Sequence, residues 1–137
     1  VKPLPDTDHA LMLRTDYGDE GAWQATLAAF AAGAADESAD LSVISDPAYA
    51  GLEVAQVMAL LPEDWSHTFL FIADRTTMRH PEHPLLVVDA FSDGEATFRA
   101  AAAQVWTVEN NLSLGSMNFE NFSDDVDEDG IFRRFAE

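Results

Sequence analysis

The run Thr68-Phe69-Leu70-Phe71-Ile72-Ala73 is continuously apolar and rich in β-forming residues, which makes it the firmest strand signal in the chain. Two shorter apolar runs precede it, Ala10-Leu11-Met12-Leu13-Arg14 and Leu41-Ser42-Val43-Ile44, and each is followed by a helical stripe. In the first helix Trp23, Leu27 and Phe30 recur at i, i+4 and i+7 behind a capping Asp19. The second runs from about Leu52 to Leu61, places Val54, Val57, Met58 and Leu61 on one face, and stops at Pro62. Strands joined through helices run parallel with right-handed crossovers, so the order of these segments ties three strands to one direction.

The connection from Asp74 to Pro84 is shorter than the dozen or more residues that a parallel crossover needs. The next run, Leu85-Leu86-Val87-Val88, is therefore expected to lie antiparallel to the third strand. Ser92-Asp93-Gly94-Glu95 is turn chemistry and predicts a hairpin with Thr97-Phe98-Arg99-Ala100. The last third reads as helical, with one stripe at Val105, Val108 and Leu112 and another at Phe119, Phe122 and Val126, ended by Gly130. Together these predict an α/β fold: a mixed five-stranded sheet, three strands parallel and then an antiparallel meander, with helices packed on its faces. Residues 1–9 are Pro-rich and polar and read as a flexible lead-in to a single domain over residues 10–137. The expected core is Trp23, Leu27, Phe30, Phe69, Phe71, Val87, Phe98, Leu112 and Phe122.

Composition narrows the function classes. The chain has 137 residues, 47% hydrophobic and 23% charged, enough for a self-sufficient core. Cysteine is absent, which removes disulfides, thiolate zinc sites and a cysteine nucleophile. No stretch approaches the roughly 18 apolar residues of a membrane span, and the N-terminus lacks the pattern of a signal peptide. Cytoplasm is the expected compartment, and the sequons at Asn111 and Asn121 carry no weight there. Twenty-five acidic side chains face seven basic ones, for a formal charge of −18. Such a field repels phosphate backbones and excludes direct nucleic-acid binding as an expectation. It steers basic partners or cations instead, or simply keeps the protein soluble.

Topology alone gathers candidate residues. Asp16, Asp46 and Asp74 end the three parallel strands, at the edge where open α/β sheets bind ligands. Three carboxylates there are oxygen ligands for a hard cation such as Mg²⁺; alternatively each caps a helix or shapes a turn. His80 and His83, with Glu82 between them, have a spacing that one metal can bridge, although histidine pairs in Pro-containing loops are usually solvated. Asp125-x-Asp127-x-Asp129-Gly130 copies the first half of a calcium loop, but position twelve is Ala136 in place of the bidentate glutamate, which favours a solvated acidic helix end. Asn110-Asn111, behind Trp106, reads as a helix cap more readily than as a ligand contact.

No Gly-rich phosphate loop, nucleophile elbow or H-E-x-x-H motif is present, and no cofactor is implied. Leu13-Arg14-Thr15-Asp16 with Ala22-Trp23, the segment Pro81 to Asp89, the segment Gln104 to Ser113 and the tail Asp127 to Arg133 together resemble an uncharacterised family. It is a domain of unknown function found in short acidic proteins common in actinobacteria. The resemblance spans nearly the whole chain. It implies a self-contained domain and cytoplasmic residence, and no activity.

The leading expectation is a non-enzymatic interaction module whose acidic surface docks a basic protein. The dense run Asp124, Asp125 and Asp127 would supply the field and Trp106 an aromatic anchor. The alternative is a cation-dependent enzyme or small-ligand binder built on Asp16, Asp46 and Asp74. No tight Ca²⁺ site is expected at residues 125–130, because the strongest ligand of such a loop is missing. Titration calorimetry checks this: micromolar Ca²⁺ binding abolished by Asp127→Asn would contradict it.

Overall fold

β1 (Ala10–Arg14) is buried along its whole length and has a parallel neighbour on each side. One is β2 (Leu41–Ile44), in register Met12↔Val43; the other is β3 (Phe69–Ala73), in register Met12↔Phe71. These strands come from a computed structural model that describes residues 3–5, 10–34, 41–63, 65, 67–90, 95–115 and 117–133. α1 (Glu20–Ala34) links β1 to β2, and α2 (Val54–Ala59) links β2 to β3. After β3 a short α3 (Arg75–Arg79) turns the chain back into β4 (Leu85–Asp89), antiparallel to β3. β4 pairs antiparallel with β5 (Thr97–Ala100), and α4 (Val105–Ser113) and α5 (Phe119–Ser123) follow. The expected parallel half and meander are both present. The turn expected at residues 92–94 and the connector at residues 36–40 lie outside the described residues.

The sheet has six strands, not five, in the order β2-β1-β3-β4-β5-β6. The added strand, β6 (Ile131–Phe132), runs parallel to β5, pairing Arg99 with Ile131 and Ala100 with Phe132. Two residues are too few to show a β period, so the sequence pattern gave no sign of it. Gly130 is correspondingly not a helix stop. Its φ of 81° closes a turn in which Gly130 N–H donates to the Asp127 carbonyl, and the chain leaves that turn as strand.

The pleat divides the core into two layers. Met12, Phe69, Phe71, Leu85, Val87, Phe98 and Phe132 face one way, against Trp23, Val105, Val108 and Phe122. Leu11, Leu13, Leu70, Ile72 and Val88 face the other, against Tyr49, Val57 and Leu4. Both faces of β1 and β3 are thus covered, which is why their sequences are continuous apolar runs. Within the expected lead-in, Leu4 is buried in this second layer, with its N–H donating to the Leu60 carbonyl and the Tyr49 hydroxyl donating to the Pro3 carbonyl.

Leu27, Phe30 and Leu112 are partly buried at the margin of the core rather than inside it. For α1 the reason is that its closest approach uses small residues. Thr26 is fully buried, its hydroxyl donating to the Ala22 carbonyl, and a Cβ at Gly33 would run into the backbone of Ala103. Close packing at Thr26 and Gly33 leaves Leu27 and Phe30 only partly covered, while Trp23 is buried.

Two substitutions test this packing in urea unfolding. Phe71→Ala should cost about 3–5 kcal/mol, as large aromatic deletions in packed cores do. A loss below about 1 kcal/mol would mean that β3 is not central. Gly33→Ala should destabilise by roughly 1–3 kcal/mol through overpacking, although helix propensity alone favours alanine by about 1 kcal/mol.

Candidate functional site

Strand order reverses at β1: the chain steps outward to β2, then returns past β1 to β3. Open α/β sheets leave a crevice beyond the strand ends at such a point. Here the loops following β1, β2 and β3 converge on two adjoining clefts. One, of about 600 Å³, is lined by Asp16, Gly18, Asp19, Arg75, Met78 and Arg79. The other, of about 420 Å³, lies against Thr15, Tyr17, Gly51, Leu52 and Asp74 among others. Asp16, Gly18 and Arg75 line both.

Each wall has a local cause. Arg14, at the end of β1, is only 3% exposed, and its guanidinium shapes the loop above it. Nε donates to the Asp16 carbonyl, Nη1 pairs with Glu20, and the group lies 4.2 Å from the Tyr17 ring centroid and 5.1 Å from that of Trp23. Arg14 Nη2 is buried and has no hydrogen-bond partner among the described residues. The Asp16 carboxylate accepts from the Gly18 N–H at 2.8 Å, and Asp19 caps α1 through the Ala22 N–H. Gly51, at φ 76°, donates its N–H to the Thr15 carbonyl at 2.8 Å and so joins the second loop to the first.

Asp74 caps α3: its carboxylate accepts from the Thr77 N–H, while Thr77 Oγ1 accepts the Asp74 N–H and donates to the Pro84 carbonyl. Arg99, on β5, then grips the same carboxylate with both Nη atoms, at 3.0 and 2.8 Å. Burial acts to raise the Asp74 pKa, but the Arg99 guanidinium and the Thr77 donors outweigh it and hold the carboxyl below its ordinary range.

The three strand-end carboxylates therefore do not converge. Asp16 and Asp74 share the smaller cleft, each already engaged, while Asp46 caps the 3₁₀ turn Pro47–Tyr49 through the Ala48 N–H and lines neither cleft. His80 Nδ1 accepts the Glu82 N–H, the His83 ring donates to the Thr77 carbonyl, and the Glu82 carboxylate binds Arg133. Among the described residues no group of three or more His, Asp or Glu side chains is arranged to hold a metal ion.

The acidic tail is organised around the same Arg133. It reaches Asp127 at 2.8 Å and Asp129 and Glu82 at 2.7 Å each, and holds the carboxyls of Glu82 and Asp129 below their usual range. The 125–130 segment is thus a turn beyond the end of α5 in which Asp127 and Asp129 remain exposed and are paired with Arg133. Asp124 is exposed, Asp125 is half-buried, and Trp106 is half-buried on α4.

Sequence reasoning reached Asp16 and Asp74, but passed over Tyr17, Gly18, Gly51 and Leu52. The signal for them was positional: they follow strands whose parallel direction was already predicted, at a reversal of strand order.

The Asp74–Arg99 pair carries a pH prediction. A depressed folded-state pKa contributes stability that is present above the unfolded value near 3.9 and lost as pH falls through the folded value, so the loss comes below about pH 4. Asp74→Asn keeps a capping side chain but loses the charge, and should cost about 1–3 kcal/mol at pH 7. Urea melts at pH 7 and pH 3 should show that difference shrinking in acid; an equal difference at both would contradict the pairing.

Among the described residues no helix is long and apolar enough to cross a membrane. No curated protein matches the chain. The family model for the domain of unknown function DUF6924 matches residues 9–135, and the protein belongs to that family.

Proposed function

We propose that this domain binds a small molecule in the two-lobed cleft beyond the carboxyl ends of β1 and β3. The observation that carries the proposal is convergence: loops from three parallel strands wall two clefts that share Asp16, Gly18 and Arg75, where strand order reverses. No residue is assigned a catalytic role. A cytoplasmic location belongs to the same proposal.

Docking of a basic protein on the acidic surface has less support. Asp127 and Asp129, in the densest acidic run, are already paired with Arg133, and Trp106 is half-buried. A hard cation at the strand ends also has less support, because Asp16, Asp46 and Asp74 each accept a backbone N–H in a cap or turn and Asp74 is neutralised by Arg99.

Amide chemical shifts test the proposal with a probe panel of millimolar phosphates, carboxylates, amines and neutral sugars. At least one class should move Gly18, Gly51 and Arg75 together. Gly18→Phe, which fills the junction of the lobes, should abolish the response. A panel that leaves all three amides unmoved, or a response indifferent to Gly18→Phe, would remove the basis for the proposal.

A further inference from the structure

We infer that the ligand of this cleft is an amphipathic anion with one phosphoryl or carboxylate head, held by Arg75 and Arg79, and an apolar body lying along Tyr17 and Leu52. The inference rests on the binding role proposed above and names the chemical class that fills the site.

The first support is how the chain uses its few cations. Seven basic side chains face 25 acidic ones. Among the described arginines, Arg14 pairs with Glu20, Arg99 with Asp74, and Arg133 with Glu82, Asp127 and Asp129. Arg75 and Arg79 are exposed and make no ion pair or hydrogen bond among the described residues. In so acidic a protein, cations are the groups most readily compensated. Two that lack a direct ion pair, four residues apart on one short helix, also repel each other, which an anion between them would relieve. Both line the same cleft.

The carboxylates in that cleft limit the ligand further. Asp16 and Asp19 stand opposite the arginines with their Oδ1 atoms engaged by backbone N–H groups of the β1–α1 loop. Two carboxylates and two guanidinium groups leave the lobe formally neutral. Selection then comes from the planar donor forks of arginine, which match a single phosphoryl or carboxylate group. A polyphosphate would bring its additional charges against Asp16 and Asp19.

The second lobe supplies the body of the ligand. Its walls at Tyr17, Ala50, Gly51 and Leu52 are mainly apolar, and its one further carboxylate, Asp74, is consumed by Arg99 and Thr77. The Tyr17 ring is backed by the buried Arg14 guanidinium, so this wall is in place before any ligand arrives. Gly51 offers an open floor, since a Cβ there would meet nothing within 4 Å. Arg75 borders both lobes, which places an anionic head and an apolar body on one molecule.

The test is a calorimetric titration of the intact chain with phenyl phosphate, phenylacetate, inorganic phosphate, pyrophosphate and phenol. Phenyl phosphate or phenylacetate should bind at least tenfold more tightly than inorganic phosphate, and the stronger of the two identifies the head group. Phenol should show no measurable binding, and pyrophosphate should bind no better than phosphate. Arg75→Ala and Arg79→Ala should each weaken the aromatic anion at least tenfold with the melting temperature unchanged, because both side chains are exposed. Leu52→Ser should erase the advantage of the aromatic anion over phosphate while leaving phosphate binding as it was. Equal affinity for phosphate and phenyl phosphate, tighter binding of pyrophosphate, or indifference to both arginine substitutions would each overturn the inference. Occupation of the cleft by an amine or a neutral sugar would overturn it too, while the binding role itself would stand.

Discussion

Parallel pairing on both sides of β1 is the constraint from which the rest of the molecule follows. Two parallel neighbours require two crossover connections, and right-handed crossovers past a central strand put helices over the sheet faces. Strands covered on both faces are apolar along their length, as β3 is throughout and β1 is up to Arg14 at its carboxyl end. The same pairing points the carboxyl ends of β1, β2 and β3 to one edge, so their loops have to share that edge. The cleft is therefore a consequence of the topology, and local sequence decides only what lines it.

Two arginines hold the meander to this frame. Arg99 reaches from β5 across β4 to the carboxylate that ends β3, and it also contacts the Pro84 carbonyl at the start of β4. Arg133 ties the segment around β6 to Glu82, in the connection between α3 and β4. The bidentate Asp74 pair is partly withdrawn from water, at 21% and 26% side-chain exposure, and so is worth more than the exposed contacts of Arg133. With Arg14 committed to Glu20 and the Tyr17 ring, the fold consumes three of the described arginines in structural roles. Arg75 and Arg79 are the two it leaves facing the cleft.

Much of the sheet was legible because burial writes directly into sequence. The apolar runs at residues 10–14 and 69–73 and the short link after Asp74 were enough for the parallel half and for the antiparallel step to β4. β6 was not legible, because a two-residue strand pairs through its backbone and shows no side-chain period. The packing face of α1 was legible in Trp23, Leu27 and Phe30, but its closest contact was not: periodicity weighs large apolar residues, whereas contact with Ala103 selects small ones such as Gly33. At the strand edge, position was legible and engagement was not. Nothing local to Asp74 announces Arg99, which is 25 residues away. Nothing in the Asp124–Asp129 run announces that Arg133 returns to bind it.

The most direct measurement is a crystal structure of the protein with phenyl phosphate. The phosphoryl group should lie within hydrogen-bonding distance of both Arg75 and Arg79, with the phenyl ring beside Tyr17 and Leu52 and the Asp74–Arg99 pair undisturbed. Density for the ligand at another surface, with the cleft between Gly18 and Arg75 empty, would contradict the assignment of this edge as the functional site.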